Sequence, residues 1–168
     1  MPSPLDAVAT LRTDLRHELA TTRRVLERVP DDHLGWKPHA KSMSLGALAT
    51  HLVNLVLWQV MTLEEEGLDL ATVPPSQSYP SREALLDAFD RRVARLREML
   101  EETDEEALAQ SWTLRRGEAV IFEMPRAAVL RGAGGLRHLV HHRGQLSVYL
   151  RLLDVPVPPI YGPTADEA

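Results

Sequence analysis

Apolar residues recur at spacings of three and four in four separate stretches of the chain, which is the pattern of amphipathic helices. A polar residue followed by proline, as at Ser3-Pro4, is typical of a first helical turn. The predicted helices cover about residues 3–29, 44–66, 81–103 and 125–153. Gly132, Gly134 and Gly135 weaken the fourth helix by roughly 1 kcal/mol each relative to alanine. The pattern predicts an all-α protein, a four-helix bundle.

The segments between the helices bear on the topology. Residues 67–80 hold three prolines and form a linker that reaches roughly 45 Å when extended. The second helix is roughly 33 Å long, so the linker can cross the whole bundle, which permits an up-down-down-up order without requiring it. Residues 111–123 fit a short hairpin around Gly117 and fit a loop equally well. We expect one domain over residues 1–168, with a proline-rich tail from about 154 to 168.

Composition narrows the classes of function and of site. The 168 residues carry a net charge of −5 with no basic block, which argues against nucleic acid as the main partner. The chain has no cysteine, so a metal site would have to use histidine, aspartate or glutamate. No apolar run approaches the roughly 18 residues of a membrane span, and the N-terminus lacks the pattern of a signal peptide. We therefore expect a cytoplasmic protein with no membrane partner.

Three of the seven histidines lie in one five-residue stretch, 138–142, inside the fourth predicted helix. His138 and His142 are four residues apart, so they lie on one helix face and can converge on one cation. The alternative is a pair of partly buried histidines that are hydrogen-bonded to the backbone or to each other. No glutamate follows His138, which excludes the H-E-x-x-H zinc protease motif.

A third candidate ligand, His51, lies among leucines in the second predicted helix. The alternative for His51 is a core histidine whose polar atoms are satisfied locally. If the second and fourth helices are antiparallel, His51 lies roughly 10 Å from the start of its helix and His142 roughly 16 Å from the end of its own. These levels nearly match, so His51, His138 and His142 could meet at one end of the bundle core.

Other polar residues near these histidines are candidates for supporting the ligands or holding a substrate. Gln145 and Tyr149 follow His142 on a stripe that also contains Leu146 and that we expect to face inward. Asn54 is three residues after His51. The alternative for all three candidates is ordinary packing, with their polar tips satisfied elsewhere.

The remaining histidines and one arginine are expected away from the site. We expect His141 to point outward, and we expect Arg143 to face solvent or a partner subunit rather than an acidic substrate. Three further histidines are expected on the surface or in loops: His17, His33 and His39.

Two segments together resemble the DinB-like superfamily of small metal-binding four-helix bundles: WKPHAKSMSLGALATHLVNL (36–55) and HLVHHRGQL (138–146). The resemblance covers nearly the whole chain. It implies an up-down-down-up bundle, frequent homodimers, and a divalent ion, nickel or zinc, bound by His51, His138 and His142. Characterised relatives include S-transferases and isomerases that use glutathione, mycothiol or bacillithiol, and many members have no known activity.

Two classes of function follow from this resemblance. The first is a metal-dependent enzyme of the thiol S-transferase type, in which a low-molecular-weight thiol is co-substrate and a small electrophile is the substrate. The second is a non-enzymatic metal-binding or stress-related scaffold with a structural ion. A closed site with four protein ligands favours the scaffold, and an open site favours the enzyme. The sequence offers no convincing fourth ligand, which favours the open site.

Overall fold

The computed structural model describes residues 7–74, 78–132 and 134–167. The helix start predicted at Ser3-Pro4 therefore lies outside the described residues. The elements in chain order are α1 (Ala7–Leu26), a short 3-10 turn (Asp31–His33), α2 (Leu45–Glu64), β1 (Gly67–Asp69), α3 (Arg82–Glu102), α4 (Glu105–Ala109), β2 (Ser111–Arg116), β3 (Ala119–Pro125), α5 (Arg126–Arg131) and α6 (Leu136–Leu152).

A three-stranded mixed sheet makes the predicted all-α four-helix bundle wrong as a fold class. The strand order is β1-β2-β3, with β1 parallel to β2 and β2 antiparallel to β3. The hairpin alternative for residues 111–123 is the right one, and Gly117 turns it with a φ of 60°, which glycine adopts without strain. Leu68, Trp112 and Leu114 of the sheet form a second small apolar cluster with Val129 of α5.

α1 packs against α3 and α6, and α2 packs against the same two helices from the other side. Near the start of α1, Arg12 Nε donates to the carbonyl oxygen of Leu100, at the end of α3, over 2.7 Å. Near the end of α1, Arg23 pairs with Asp90, in the first half of α3. The two helices are therefore antiparallel.

α2 and α6 are also antiparallel. Tyr149, late in α6, donates its hydroxyl to the carbonyl oxygen of Met43, just before α2. Gly134, just before α6, lies against the ring of Trp58, late in α2. This arrangement places the middle of α2 beside the first half of α6.

α2 and α3 run in the same direction, because the contacts between them advance together along both helices: Asn54 with Arg92, then Glu64 with Arg95. The segment between the two helices must therefore return along the bundle. The four long helices α1, α2, α3 and α6 thus run up, down, down and up.

A break at Gly132–Gly135 divides the predicted fourth helix into α5 and α6. A Cβ at Gly135 would lie 1.9 Å from the carbonyl oxygen of Leu130, and one at Gly134 would lie 2.7 Å from a methyl group of Val129. No side chain fits at either position as the backbone stands. The predicted continuous helix is wrong here, because the glycines permit a tight break instead of weakening a straight helix.

α2 is apolar enough, with a mean hydropathy of 1.3, to meet the length and composition of a membrane span, contrary to the expectation from the sequence. However, 67% of this apolar stretch of α2 is buried inside the protein, as in the core helix of a bundle. The proline-rich tail after α6 folds back on the bundle. Val157 is buried there, and Glu167 pairs with Arg28 of the segment after α1.

Candidate metal centre

Three histidines from α2 and α6 meet at one point. The Nε2 atom of His138 lies 3.3 Å from Nε2 of His51 and 2.9 Å from Nε2 of His142. One ring nitrogen from each residue lies within 4.8 Å of the others, so the group could hold a metal ion. The three side chains meet as the antiparallel helices predicted, and their binding of a metal stays a prediction.

The three histidines lie at the side of the bundle, in the groove between α2 and α6, and each is half-buried. The fully buried residues of α6 are Leu139, Arg143, Leu146 and Leu150. The prediction that the stripe of His138 and His142 faces the core is therefore right for Leu146 and wrong for the two histidines, which lie at its margin. The buried stripe begins one residue later, which turns it by about 100° on a helix. The histidine site consequently opens toward the surface.

Burial and mutual repulsion keep two of the imidazoles neutral. The pKa of His51 falls from 6.5 to about 4, first because burial disfavours the charged ring and then because His142 and His138 repel a proton there. Burial also lowers the pKa of His142, against the opposing effect of its hydrogen bond to Gln145. A metal requires neutral imidazoles, so both ligands are in the binding form at neutral pH.

Gln145 orients His142. Its Oε1 lies 2.7 Å from Nδ1 of His142, and its Nε2 lies 3.1 Å from Nε2 of His141. An amide oxygen can only accept, so His142 carries its proton on Nδ1 and directs the lone pair of Nε2 toward the other two histidines. A ligating histidine is commonly held in this way by a second residue.

Comparison with protein families identifies the family of this chain. A model of the DinB family matches residues 4–168. The chain belongs to the DinB family. The resemblance that the two histidine-containing segments indicated is thereby confirmed. Among curated proteins, this DinB-family chain is similar to YrdA of Bacillus subtilis strain 168, with 26% identity over 157 residues, which are 89% of this chain and 85% of YrdA.

Solved structures of DinB-like proteins have the same fold. A DinB-like protein of Bacillus cereus ATCC 10987 aligns with a TM-score of 0.71 at 20% identity, over 91% of this chain and 97% of its own. YjoA of Bacillus subtilis aligns with a TM-score of 0.68 at 20% identity over the same shares. A DinB-family protein of Exiguobacterium sibiricum 255-15 aligns at 0.64 and 21% identity, over 94% and 98%. At these identities the likeness shows the fold alone.

Two other candidates take part in packing contacts of the DinB-family chain. The hydroxyl of Tyr149 lies 3.3 Å from the carbonyl oxygen of Met43, and its ring meets Trp36 edge-on at 5.6 Å. Tyr149 therefore fastens the loop before α2. Asn54 accepts a hydrogen bond of 2.8 Å from Arg92 Nη1. The alternative of ordinary packing describes Tyr149, and Asn54 supports an arginine of α3.

Arg143 is a polar residue that the sequence interpretation misplaced. It is 1% exposed, donates to Glu18 Oε2 over 2.6 Å and donates to the hydroxyl of Tyr161 over 2.7 Å. The expectation that it faces solvent or a partner is wrong. The sequence did contain a signal for its burial: Arg143 is four residues after Leu139 and three before Leu146, so it lies on the same helix face as these leucines. His141, as expected, is exposed, as are the three histidines predicted on the surface or in loops.

Proposed function

We propose that this DinB-family protein binds a divalent ion, nickel or zinc, through His51, His138 and His142, and that it is a metal-dependent enzyme of the thiol S-transferase type. The observation that carries the proposal is three ring nitrogens within 4.8 Å, two of them on imidazoles whose pKa is lowered. Among the described residues, no fourth histidine, aspartate or glutamate joins this group. Positions for ligands from outside would therefore stay open.

The donor set suits the chemistry of thiols. When bound, a divalent ion held by neutral histidines lowers the pKa of a thiol or a water molecule and stabilises the anion. The chain has no cysteine, so the thiol must come from a low-molecular-weight co-substrate. In the transfer, the sulfur forms a bond to an electrophilic carbon of a small molecule, the leaving group departs with its bonding electrons, and the thiol proton passes to solvent. Gln145 keeps His142 in the tautomer that this binding needs.

The proposal includes a cytoplasmic homodimer. Val148 and Leu152 stand one turn apart on α6 and are 56% and 57% exposed, so they form an apolar strip that a second copy could cover. Light scattering on the eluting protein is expected to give twice the chain mass for the wild type. A substitution such as Val148→Glu is expected to lower this mass. A wild type that is monomeric at all concentrations would contradict the dimer.

The experiment for the metal uses protein purified without added metal. We expect about one nickel or zinc ion per chain, with more than three atoms coordinated, as measured by elemental analysis and X-ray absorption. A closed four-coordinate site supplied entirely by the protein would favour the scaffold with a structural ion.

The experiment for the activity uses a chlorinated nitrobenzene as the electrophile. We expect chloride release to require both the ion and a thiol such as glutathione, and to be lost in His142→Ala. His141→Ala, which alters an exposed neighbour, is the matched control and should retain the rate. Equal rates in the wild type and His142→Ala would contradict catalysis at this site.

A further inference from the structure

Three arginines in the middle of α3 have different partners. Arg91 pairs with Asp87, and Arg95 pairs with Glu64, and both arginine side chains are more than half exposed. The third, Arg92, is half-buried and donates from Nη1 to the amide oxygen of Asn54 over 2.8 Å. Within the part of the chain that the structure describes, no carboxylate pairs with Arg92.

A half-buried guanidinium without a carboxylate has capacity for an anion. Burial lowers the pKa of Arg92, and the neighbouring charge of Arg91 lowers it further, while only the phenol of Tyr79 raises it. A guanidinium has five N–H donors in a rigid fork, and the bond to Asn54 uses one of them. The remaining edge matches the two oxygens of a carboxylate. An anion at this position would also relieve the cost of the buried charge.

Arg92 lies close to the histidine site through Asn54. Asn54 is three residues after His51, and both belong to the half-buried face of α2. Side chains at this spacing have Cβ atoms about 5–6 Å apart. The Asn54 side chain that holds Arg92 is thus about one turn of α2 from His51, a spacing that a small molecule bound to the histidines could span.

We propose that Arg92, positioned by Asn54, binds a carboxylate group of the same small thiol whose sulfur binds at the histidine site. This inference rests on the proposed function, and it specifies the class of co-substrate: an anionic thiol that carries its carboxylate a few bonds from the sulfur. Arg92 is then the residue that selects the thiol, while the histidines make no distinction between a charged and an uncharged one.

The test compares matched thiols on the cobalt-substituted protein, in which thiolate binding appears as a charge-transfer absorption. The probes are ω-mercaptoalkanoic acids of three to six carbons and the mercaptoalcohols of the same lengths. We expect the acids to bind about tenfold more tightly than the alcohols at the length that spans the two sites, as one charge-assisted pair provides. At lengths that do not span the gap the advantage should shrink.

Two substitutions on α3 separate the effect of Arg92 from that of general positive charge. Arg92→Met is expected to abolish the preference for acids, and Arg95→Met, which removes a charge one turn away, is expected to keep it. Both should bind cobalt as the wild type does. If Arg92→Met does not fold, Arg92→Lys serves instead and should keep only part of the preference.

The outcomes are distinguishable. If acids and alcohols both bind and do so equally at every length, or if Arg95→Met loses the preference as fully as Arg92→Met, the assignment of Arg92 is overturned and the proposed function stands. If neither class of thiol changes the absorption, thiol binding at the histidine site fails, and the assignment fails with it.

Discussion

His142 and Arg143 are neighbours on α6, yet their polar groups have opposite environments. Arg143 is almost completely buried, and a carboxylate, a phenol and a backbone carbonyl oxygen receive its donors. His142 is half-buried, and its close polar neighbours His138 and Gln145 bring no negative charge. One residue of the pair is satisfied within the chain, and the other presents a lone pair to a group of imidazoles.

The difference distinguishes a structural polar group from one available to a ligand. The contacts of Arg143 join α6 to α1 through Glu18 and to the tail through Tyr161, so its charge is already neutralised. The three histidines stabilise one another little. A neutral imidazole has only one N–H donor, so three ring nitrogens that meet at one point cannot all be satisfied by hydrogen bonds among themselves. A cation would turn this arrangement into a favourable one.

The largest effect is expected from Glu18→Ala, which leaves Arg143 buried without its carboxylate. Removing one partner of a buried ion pair lowers the free energy of unfolding by about 3–5 kcal/mol. Urea denaturation of the metal-free protein measures this. Glu167→Ala, which breaks the more exposed pair with Arg28, is the control and should cost less than about 1 kcal/mol. Equal losses in the two variants would contradict the structural role of Arg143.

The second effect is a loss of stability in acid that the histidine site causes. Above pH 6.5, His51 is neutral in both the folded and the unfolded chain and contributes no pH dependence. Between pH 6.5 and about 4, only the unfolded chain takes up its proton, so the free energy of unfolding falls with falling pH. The lowered pKa of His142 acts in the same direction.

Denaturation curves of the metal-free protein at pH 7 and pH 4.5 measure this loss. His51→Gln is expected to reduce the difference between the two pH values. His39→Gln, at an exposed loop position, should leave the difference unchanged. A difference of the same size in His51→Gln as in the wild type would place the titrating group elsewhere.

Local signals in the sequence predicted the helices and the histidine site. Ser44 and Ser81, at the predicted starts of the second and third helices, cap α2 and α3, and each accepts a hydrogen bond from a backbone N–H three residues later. The pair His138 and His142 follows from helix periodicity alone. His51 could be added to the pair because His51 and His142 lie at similar heights along antiparallel helices. Estimating those heights requires only the approximate ends of the two helices.

Contacts between distant segments could not be predicted. β1 has three residues and exists through its pairing with β2, more than 40 positions away. Arg143 is buried because Glu18, 125 positions earlier, neutralises it, although its place in the buried stripe was visible. Arg91 has a local partner, Asp87, four residues earlier on α3. The partners of Arg92 and Arg95, by contrast, depend on which residues α2 presents to them, Asn54 to one and Glu64 to the other.

A third prediction concerns the ligands and sharpens the contrast on α6. His142→Ala is expected to weaken binding of nickel or zinc by at least about 100-fold, since even the loss of a supporting residue costs 10–100-fold. The stability of the metal-free protein should change by less than about 1 kcal/mol, because no buried charge loses a partner. Calorimetric titration and urea denaturation measure the two quantities. His141→Ala should change neither. A large loss of metal-free stability in His142→Ala would make the histidines structural, like Arg143.

The smallest effect is expected from Gln145, which acts on the three clustered histidines through its hydrogen bond to His142. Gln145→Ala removes the acceptor of the Nδ1 proton, so His142 can rotate or change tautomer, and we expect metal affinity to fall by about 10–100-fold. Gln145→Glu keeps an acceptor at the same place and should restore most of the affinity. Tyr149→Phe, one turn further along α6, removes a hydroxyl that bonds to Met43 and should leave the affinity unchanged. If Gln145→Glu binds metal as weakly as Gln145→Ala, the hydrogen bond to Nδ1 is not what orients His142.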